Sequence, residues 1–569
     1  MYLKSLFPDI PPLQDVNVHN VFFNRPDQSQ WPEVNIHIDI ETDRKRTFKE
    51  LKERVNDAYT AFSSALKDGG MDFGSEGTEE MVGIMSENSS DYMVLIHALM
   101  ANTTPFALIS SYSTRFELLH AFRLSKITRL FVQPKYLSHA ISVAREVGLS
   151  LTNIYIIGGH VKGHQSLSGM IERARSVPRV PAKPAKQSTL AYLVFSSGTS
   201  GLPKAVMITH GNILFSIHQS IVAGQAVAEV VPPSEEIPVS LAFLPLHHSY
   251  GLHAYCFRSL LSPHSYVIMP KWNINAALKA IPKYRISNLA LIPSVFHQLV
   301  NHPQISSVDL SSVKHVGSGA AYLPQQLVAK MKTFTPKDST ITEGYGMSEC
   351  TIAALTQVLD GMLGGRGKLL PGSTGVLLPG MEARIVRDDG SEANFNEVGE
   401  LWLRSPNVSP GYWNNEKANK ETFVDGWLRT GDKFSVNEEG YFFFADRAKD
   451  TLKVSGSQVS PLEIEEVLLA HPEKLITDVT VAGVSGGRTS DEKVPRAWIV
   501  LSAAGKKKGA AAVIKKLDEW QKENLSKYKW TRGGIEVVKE IPKSPTGKTL
   551  RRVLVDKYER KFKKSQSKL

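Results

Sequence analysis

Cysteine is nearly absent from these 569 residues: only Cys256 and Cys350 occur, far apart in the chain. That excludes a disulfide framework and any CxxC metal site. Long hydrophobic runs are missing too. No uncharged apolar span reaches the ~18 residues of a membrane-crossing helix. The nearest, Tyr92 to Ser110, is interrupted by His97, Asn102, Thr103, Thr104 and Pro105, and reads as a helix followed by a strand. The opening stretch MYLKSLFPDIPPL lacks the apolar segment of a signal peptide, so an intracellular soluble protein is expected. Internal repeats are absent, and the only biased segment is a Lys-rich tail. With 42% apolar and 22% charged residues the composition is that of a globular protein, and its length calls for two or more domains.

Acidic excess is also lacking, and the positive charge is uneven. Residues 447–569 hold 27 basic against 15 acidic side chains, a net +12, whereas residues 1–446 hold 40 against 41, a net −1. A basic region of this kind suits a nucleic acid, a membrane surface or a polyanionic small molecule. No recognition motif or aromatic interleaving supports nucleic acid, which leaves the polyanionic ligand open.

What is present is an alternation. Strand-like EEMVGIMSE (79–87) precedes a helical stretch from Ser90 to Ala101, then PFALISS, then a helix around Arg115 to Leu124, then TRLFVQ. That order argues for parallel α/β architecture. From Thr374 to Phe444 short strands separated by Gly, Pro and Asn read as a β-rich subdomain; beyond Phe444 the chain turns Lys-rich and helical. The domain boundary is expected near Arg447.

One loop stands out: YLVFSSGTSGLPKAVMITH, Tyr192 to His210. A short apolar strand enters a turn where Gly198 and Gly201 free the backbone N–H groups to point inward. Ser196, Ser197, Thr199 and Ser200 add hydroxyls, and Lys204 adds charge. It is not a Walker A loop, because Ala205 stands where a magnesium-binding hydroxyl is required. The bland alternative is a flexible surface loop; the hydroxyl density, the strand before and the lysine after favour phosphate.

Five further segments follow in one order: LPLHHSYGL (244–252), VGSGAAYLP (316–324), TEGYGMSEC (342–350), GWLRTGD (426–432) with DRAKDTLKVSGSQVSP (446–461), and PKSPTGKTLRR (542–552). In this combination, from about residue 45 to about 555, the chain resembles the adenylate-forming superfamily, closest to the branch of 4-coumarate–CoA ligases and beetle luciferases. The resemblance implies an α/β fold: a large N-terminal domain (1–446) of parallel α/β subdomains plus a β-rich subdomain, and a small mobile α+β C-terminal domain (447–569).

The resemblance also implies roles. Ser196, Ser197, Gly198, Thr199, Ser200, Gly201 and Lys204 would hold the β- and γ-phosphates of ATP. Ser318, Gly319 and Ala320 would lie against adenine, with Gly344, Tyr345, Gly346, Met347 and Ser348 completing the nucleotide site. Tyr345 would stack on the base, and Glu349 would reach magnesium carried by the triphosphate. Asp432 and Arg447 would hold the ribose. His248 would line the acid pocket and gate the thiol tunnel, joined there by Ser249, Tyr250, Ser318, Gly319 and Cys350. Lys449 would be the hinge; Lys453 and Gln458 would serve the acid-activating site, and Lys453, Ser455 and Gly456 would border the CoA tunnel. Lys548 would contact the carboxylate and the α-phosphate. His248, Thr199, Glu349, Lys453, Gln458 and Lys548 are thus the expected catalytic groups. Glu343 stands where Gln is common and Ser249 replaces a bulkier apolar residue, so the acid is undetermined between an aryl or phenylpropanoid and a medium-chain one.

The implied reaction joins a carboxylic acid to CoA at the expense of ATP, through an acyl-adenylate, with Mg²⁺ as cofactor. Two alternatives within the same fold are a luciferase-like oxygenase and an enzyme that loads a carrier protein in trans; a non-catalytic nucleotide binder would not need Lys204, Glu349, Asp432 and Lys548 together. The ending Ser567-Lys568-Leu569 matches the peroxisomal address, which implies the import receptor as a partner and the peroxisome matrix as the location.

Overall fold

The computed structural model describes residues 1–65, 70–73, 80–196, 203–232, 234, 236–447, 452–454, 457–485, 493–525, 527–544, 547 and 549–566. Two mainly parallel sheets dominate the large N-terminal domain. One orders strands Ile154–Ile156, Arg129–Val132, Val82–Met85, Phe106–Ile109 and Leu190–Ser196 in parallel, closed by antiparallel Lys204–Thr209. The other runs in parallel through Thr340–Tyr345, His315–Ser318, Asn288–Leu291, Val239–Ala242, Ser265–Ile268 and Asn35–Asp39, with antiparallel strands at both edges. Strands such as VGIM and FALI are apolar at every position because helices cover both faces, and all of their residues are buried.

The helices begin where local chemistry stops the strands. Thr47 accepts from the Glu50 N–H while the Glu50 carboxylate accepts from the Thr47 N–H, a reciprocal cap that starts helix Phe48–Ser63. Leu51, Val55, Ala58, Tyr59 and Phe62 then recur at helical spacing and are buried. Helix Ser90–Ala101, capped by Ser89, is buried from Tyr92 onward. Its Asp91 holds Arg46 and Arg54 at 3.2 and 2.9 Å.

A third, antiparallel sheet contains Glu382–Val386, Gly399–Arg404, Trp427–Val436 and Phe442–Arg447, the β-rich subdomain expected from its turn residues. The smaller C-terminal domain is α+β, as the resemblance implies, and not the mainly helical region that its Lys-rich composition reads as. It contains the hairpin Leu452–Val454/Ser457–Val459 and a sheet of Ile476–Ser485, Lys493–Leu501 and Ile535–Val537, packed against helices Pro461–Leu469 and Ala510–Asn524. The lysines sit mostly outside these strands, so overall composition hid the alternation in which Val479, Val481, Ala497 and Ile499 are buried.

Candidate active site

The parallel strands deliver the candidate residues at their carboxyl ends, where open α/β sheets bind ligands. Strand Val239–Ala242 leads to Leu244–Tyr250, strand Asn288–Leu291 to Pro293 and Ser294, strand His315–Ser318 to Gly319–Tyr322, and strand Thr340–Tyr345 to Gly346–Cys350. These segments wall a cavity of about 1520 Å³ between the large and small domains. Lys204, His248, Tyr345 and Asp432 line it from the large domain, Glu466 and Gly547 from the small one.

At one end, the strand pair Leu190–Ser196/Lys204–Thr209 brackets the phosphate-like loop. Ser197, Gly198, Thr199, Ser200 and Gly201 lie outside the described residues, but both flanks of the loop are placed. Ser196 Oγ donates to Glu349 Oε1 at 3.1 Å, and Tyr412 Oη donates to the same oxygen at 2.8 Å. The Lys204 ammonium lies 4.6 Å from the centroid of the Tyr412 ring. Glu349 is buried, and its Oε2 has no protein donor among the described residues. Burial and the neighbouring carboxylate push the Tyr412 phenol well up, so it stays a donor.

Tyr412 was not anticipated from the sequence, where PGYW reads only as a turn. Pairing places it: the Met207 N–H donates to Gly411 O at 3.0 Å, and the Trp413 N–H to Ala205 O at 2.8 Å. A segment remote in sequence thus lies against the strand that carries Lys204.

Farther along the cavity, Tyr345 Oη donates to Asp432 Oδ2 at 2.8 Å, and the Tyr345 ring meets Phe434 edge-on at 4.9 Å. Burial, reinforced by Asp432, raises the Tyr345 phenol far above its ordinary range. Asp432 and Arg447 are cross-strand partners in the ladder. The turn after Tyr345 requires glycine: a Cβ on Gly346 would lie 1.8 Å from Ile352 O. Ala320, in the loop set against this turn, has φ 70°, a conformation usually left to glycine.

The acid-side residues are partly brought together. His248 lines the cavity, and burial lowers its imidazole to about 4, so it is neutral at pH 7. The rings of His247 and His248 lie 4.6 Å apart. Ser249 Oγ donates to Ser348 Oγ at 3.2 Å, joining the acid segment to the nucleotide turn. The Tyr250 ring stands 3.5 Å from where a Gly319 Cβ would be. Ser318 is buried, and its hydroxyl has no hydrogen-bond partner among the described residues. Of these acid-pocket candidates only His248 lines the cavity; Ser249, Tyr250, Ser318 and Gly319 do not, and neither does Cys350. It packs with Ala354, Leu355 and Leu377 in the β-rich core while its thiol engages Met347, because the helical turn at 348–350 directs it inward.

Glu343 faces the cavity, and burial raises its carboxyl to about 8 despite a hydrogen bond to the Leu323 backbone. It forms no ion pair among the described residues.

In the small domain, Lys449, Ser455, Gly456 and Lys548 lie outside the described residues, and the side chains of Arg447, Lys453 and Gln458 are likewise not described. Their neighbours are placed. Lys453 and Gln458 are cross-strand partners in the hairpin, and Gly547, next to Lys548, reaches the large domain. A Cβ there would lie 2.3 Å from Ser294 Oγ. The domains also touch through His297 Nε2, which donates to Thr477 O at 2.6 Å, and through Tyr322, which donates to Glu466.

Residues 26–413 match the AMP-binding enzyme family, and residues 463–548 match the AMP-binding enzyme C-terminal domain. The chain belongs to the AMP-binding enzyme family. It is 32% identical over 500 residues to the acyl-CoA ligase AKT1 of Alternaria alternata, covering 84% of this chain and 83% of that one. It is 30% identical over 501 residues to a probable 4-coumarate–CoA ligase 1 of Dictyostelium discoideum, covering 84% and 85%. The crystal structure of the anthranilate CoA ligase AuaEII with anthranoyl-AMP superposes with a TM-score of 0.82 at 25% identity, covering 98% and 99% of the two chains. As a member of this family the protein is an AMP-forming acid–CoA ligase.

Proposed function

We propose that this enzyme activates an aryl or medium-chain carboxylic acid as its acyl-adenylate and transfers the acyl group to CoA, with the domain boundary near Arg447. The observation that carries the reading is one cavity with two ends. A buried Glu349 clamped by Ser196 and Tyr412 beside Lys204 lies at one, and the Tyr345–Asp432 pair at the other.

A carboxylate is a poor acyl donor because its leaving group would be oxide. Attack of its oxygen on the α-phosphorus of ATP releases diphosphate and leaves an acyl-adenylate, whose AMP departs when a thiolate attacks the carbonyl. Two anions must meet in the first step, so cations and donors aimed at the phosphorus carry the barrier reduction. Lys204 supplies one such charge; by resemblance Lys548 supplies another, and the 197–201 loop supplies donors. Asp432, an acceptor-only group, suits the paired hydroxyls of a ribose.

Magnesium fits Glu349 as an ion carried by the triphosphate. Such an ion takes one or two carboxylates, and Oε2 of Glu349 is open to it. No cluster of three or more metal-binding side chains occurs among the described residues, as a dedicated protein cage would need. The ion would neutralise phosphate charge.

His248, neutral in the cavity wall, can border the acid without repelling or trapping it. The basic C-terminal region suits the phosphates of CoA. We also propose import into peroxisomes through Ser567-Lys568-Leu569; a fluorescent fusion bearing those residues, compared with one lacking them, tests it.

The test is an endpoint assay on the full chain with magnesium, ATP, CoA and acids from benzoate and cinnamates to straight chains, with AMP and thioester read by mass spectrometry. AMP with a matching acyl-CoA supports the proposal and names the acid. AMP-linked acid without thioester points to oxygen or a carrier protein as the acceptor. Lys548→Ala is expected to raise the adenylation barrier by about 3 kcal/mol or more, while CoA attack on supplied acyl-adenylate largely survives. Equal damage to both half reactions would sink that role.

A further inference from the structure

The helical run after the His247–His248 pair carries a cation that the chemistry above does not use. Between Ser249 and Leu260 every residue is buried except Tyr250, Ala254 and Arg258. Four-residue spacing sets these three along one face, and the run widens to a π-helix over His253–Phe257, a device frequent at functional sites. The face begins two residues after His248, which is in the cavity wall, and its Tyr250 ring lies beside the Gly319 turn. It runs inward for about 12 Å, two turns, to Arg258. Helical side chains lean toward the helix N-terminus, which directs Arg258 back toward Tyr250.

Arg258 has no ion pair and no side-chain hydrogen bond among the described residues, and its Nε is wholly buried without a partner. The groups coupled to it electrostatically are the phenols of Tyr250 and Tyr266 and the imidazole of His253; no carboxylate is among them. Neither phenol hydroxyl has an acceptor among the described residues. Burial lowers the Arg258 pKa from its ordinary value, as expected for a cation left without a counterion. A buried charge is costly unless it is paired. A guanidinium flanked by two phenol donors, with no acceptor for any of them, is the complement of an anion.

We propose that Arg258, with the Tyr250 and Tyr266 hydroxyls, receives a second carboxylate at the far end of the acid being activated. The preferred substrates are then dicarboxylic acids with a spacer of several carbons. This deepens the ligase reading and rests on it. Ala254, small and midway along the face, leaves room for the spacer.

The test pairs a straight-chain α,ω-dicarboxylic acid with the monocarboxylic acid of the same carbon number, on the full-length protein with magnesium, ATP and CoA. Wild type is expected to favour the diacid in kcat/KM, and Arg258→Met to cut that preference by about 30-fold or more, the scale of a lost charge-assisted hydrogen bond. Arg258→Lys should retain part of it. Without ligand, Arg258→Met should melt at a higher temperature than wild type, because it removes a half-buried charge that has no counterion among the described residues. The same preference in wild type and Arg258→Met, or a wild type that favours the monoacid, overturns the proposal. So does a fall in melting temperature with preference unchanged, which marks a structural arginine.

If wild type forms AMP with neither acid, the ligase reading fails separately. Melting shifts with each acid plus AMP then decide the site: a larger shift with the diacid, lost in Arg258→Met, supports it, and equal shifts overturn it. Should Arg258→Met not fold, Arg258→Lys and Arg258→Gln carry the same comparison.

Discussion

At Glu343 a carboxyl group stands in the cavity wall with its pKa raised from 4.5 to about 8 by burial. Between those two values the native state keeps a proton that the unfolded chain releases, so stability falls as pH rises through this window. The penalty is absent well below pH 4.5 and complete above pH 8, where a shift of this size costs on the order of 5 kcal/mol. Glu343→Gln should therefore melt higher than wild type at pH 9, with the gain shrinking steadily toward pH 5. Melting curves across that range check it, and a gain independent of pH would refute the buried-proton account. The sequence marked Glu343 as a departure from the usual Gln, but the sign of its effect depends on desolvation, which only packing produces. Tyr412 makes the same point more sharply. Nothing near it in the chain signals a role, because its partners Glu349 and Lys204 arrive from elsewhere in the sequence.

Among the elements, the segment from Tyr345 to Thr351 does the most in the least length. It ends a parallel strand, turns at Gly346, and delivers Ser348 and Glu349 to opposite neighbours, Ser249 and Ser196. A Cβ on Gly346 would strike the Ile352 carbonyl and the Ala353 Cα, both backbone atoms that cannot swing aside. Gly346→Ala is expected to cost about 1–3 kcal/mol of stability through overpacking. Because the displaced backbone carries Glu349, ATP–pyrophosphate exchange should fall by roughly 100-fold, as a misplacement near 1 Å can do. Near-normal exchange in a destabilised variant would separate the turn from the chemistry. Elements of this kind were the most legible from sequence. Helix Ser90–Ala101 and the strands at 82–85, 106–109 and 129–132 lie where alternation and apolar periodicity put them, since local pattern and tertiary burial agree there. Composition alone misled in the C-terminal region, where abundant lysine masked the strands, and the expected place of Cys350 failed because one helical turn sets its direction.

Among the described residues, few side-chain hydrogen bonds join the two domains. Tyr322 donates to Glu466, while His297 holds Thr477 O. With Gly547 on the cavity wall, this arrangement brings the lysine loop to the large domain. Tyr322→Phe removes one hydrogen bond to a charged group, about 1.5–3 kcal/mol, and should shift the population toward undocked forms. Pyrophosphate exchange is expected to fall roughly 10-fold, a figure set by that same energy, while single-turnover CoA attack on supplied acyl-adenylate falls less. Parallel losses in both half reactions would show that Tyr322 serves the site and not the docking.

By itself the sequence determined the family, the α/β class and the order of the nucleotide-site segments. Each depends on short-range spacing: glycines where backbone must turn, a hydroxyl-rich loop before a lysine, apolar runs of strand and helix length. Tertiary structure alone decided which groups share a cavity, which carboxyl keeps its proton, and that the half-buried Arg258 has no counterion among the described residues. Those properties come from distances between residues far apart in the chain and from the exclusion of water around them, and no local pattern encodes either.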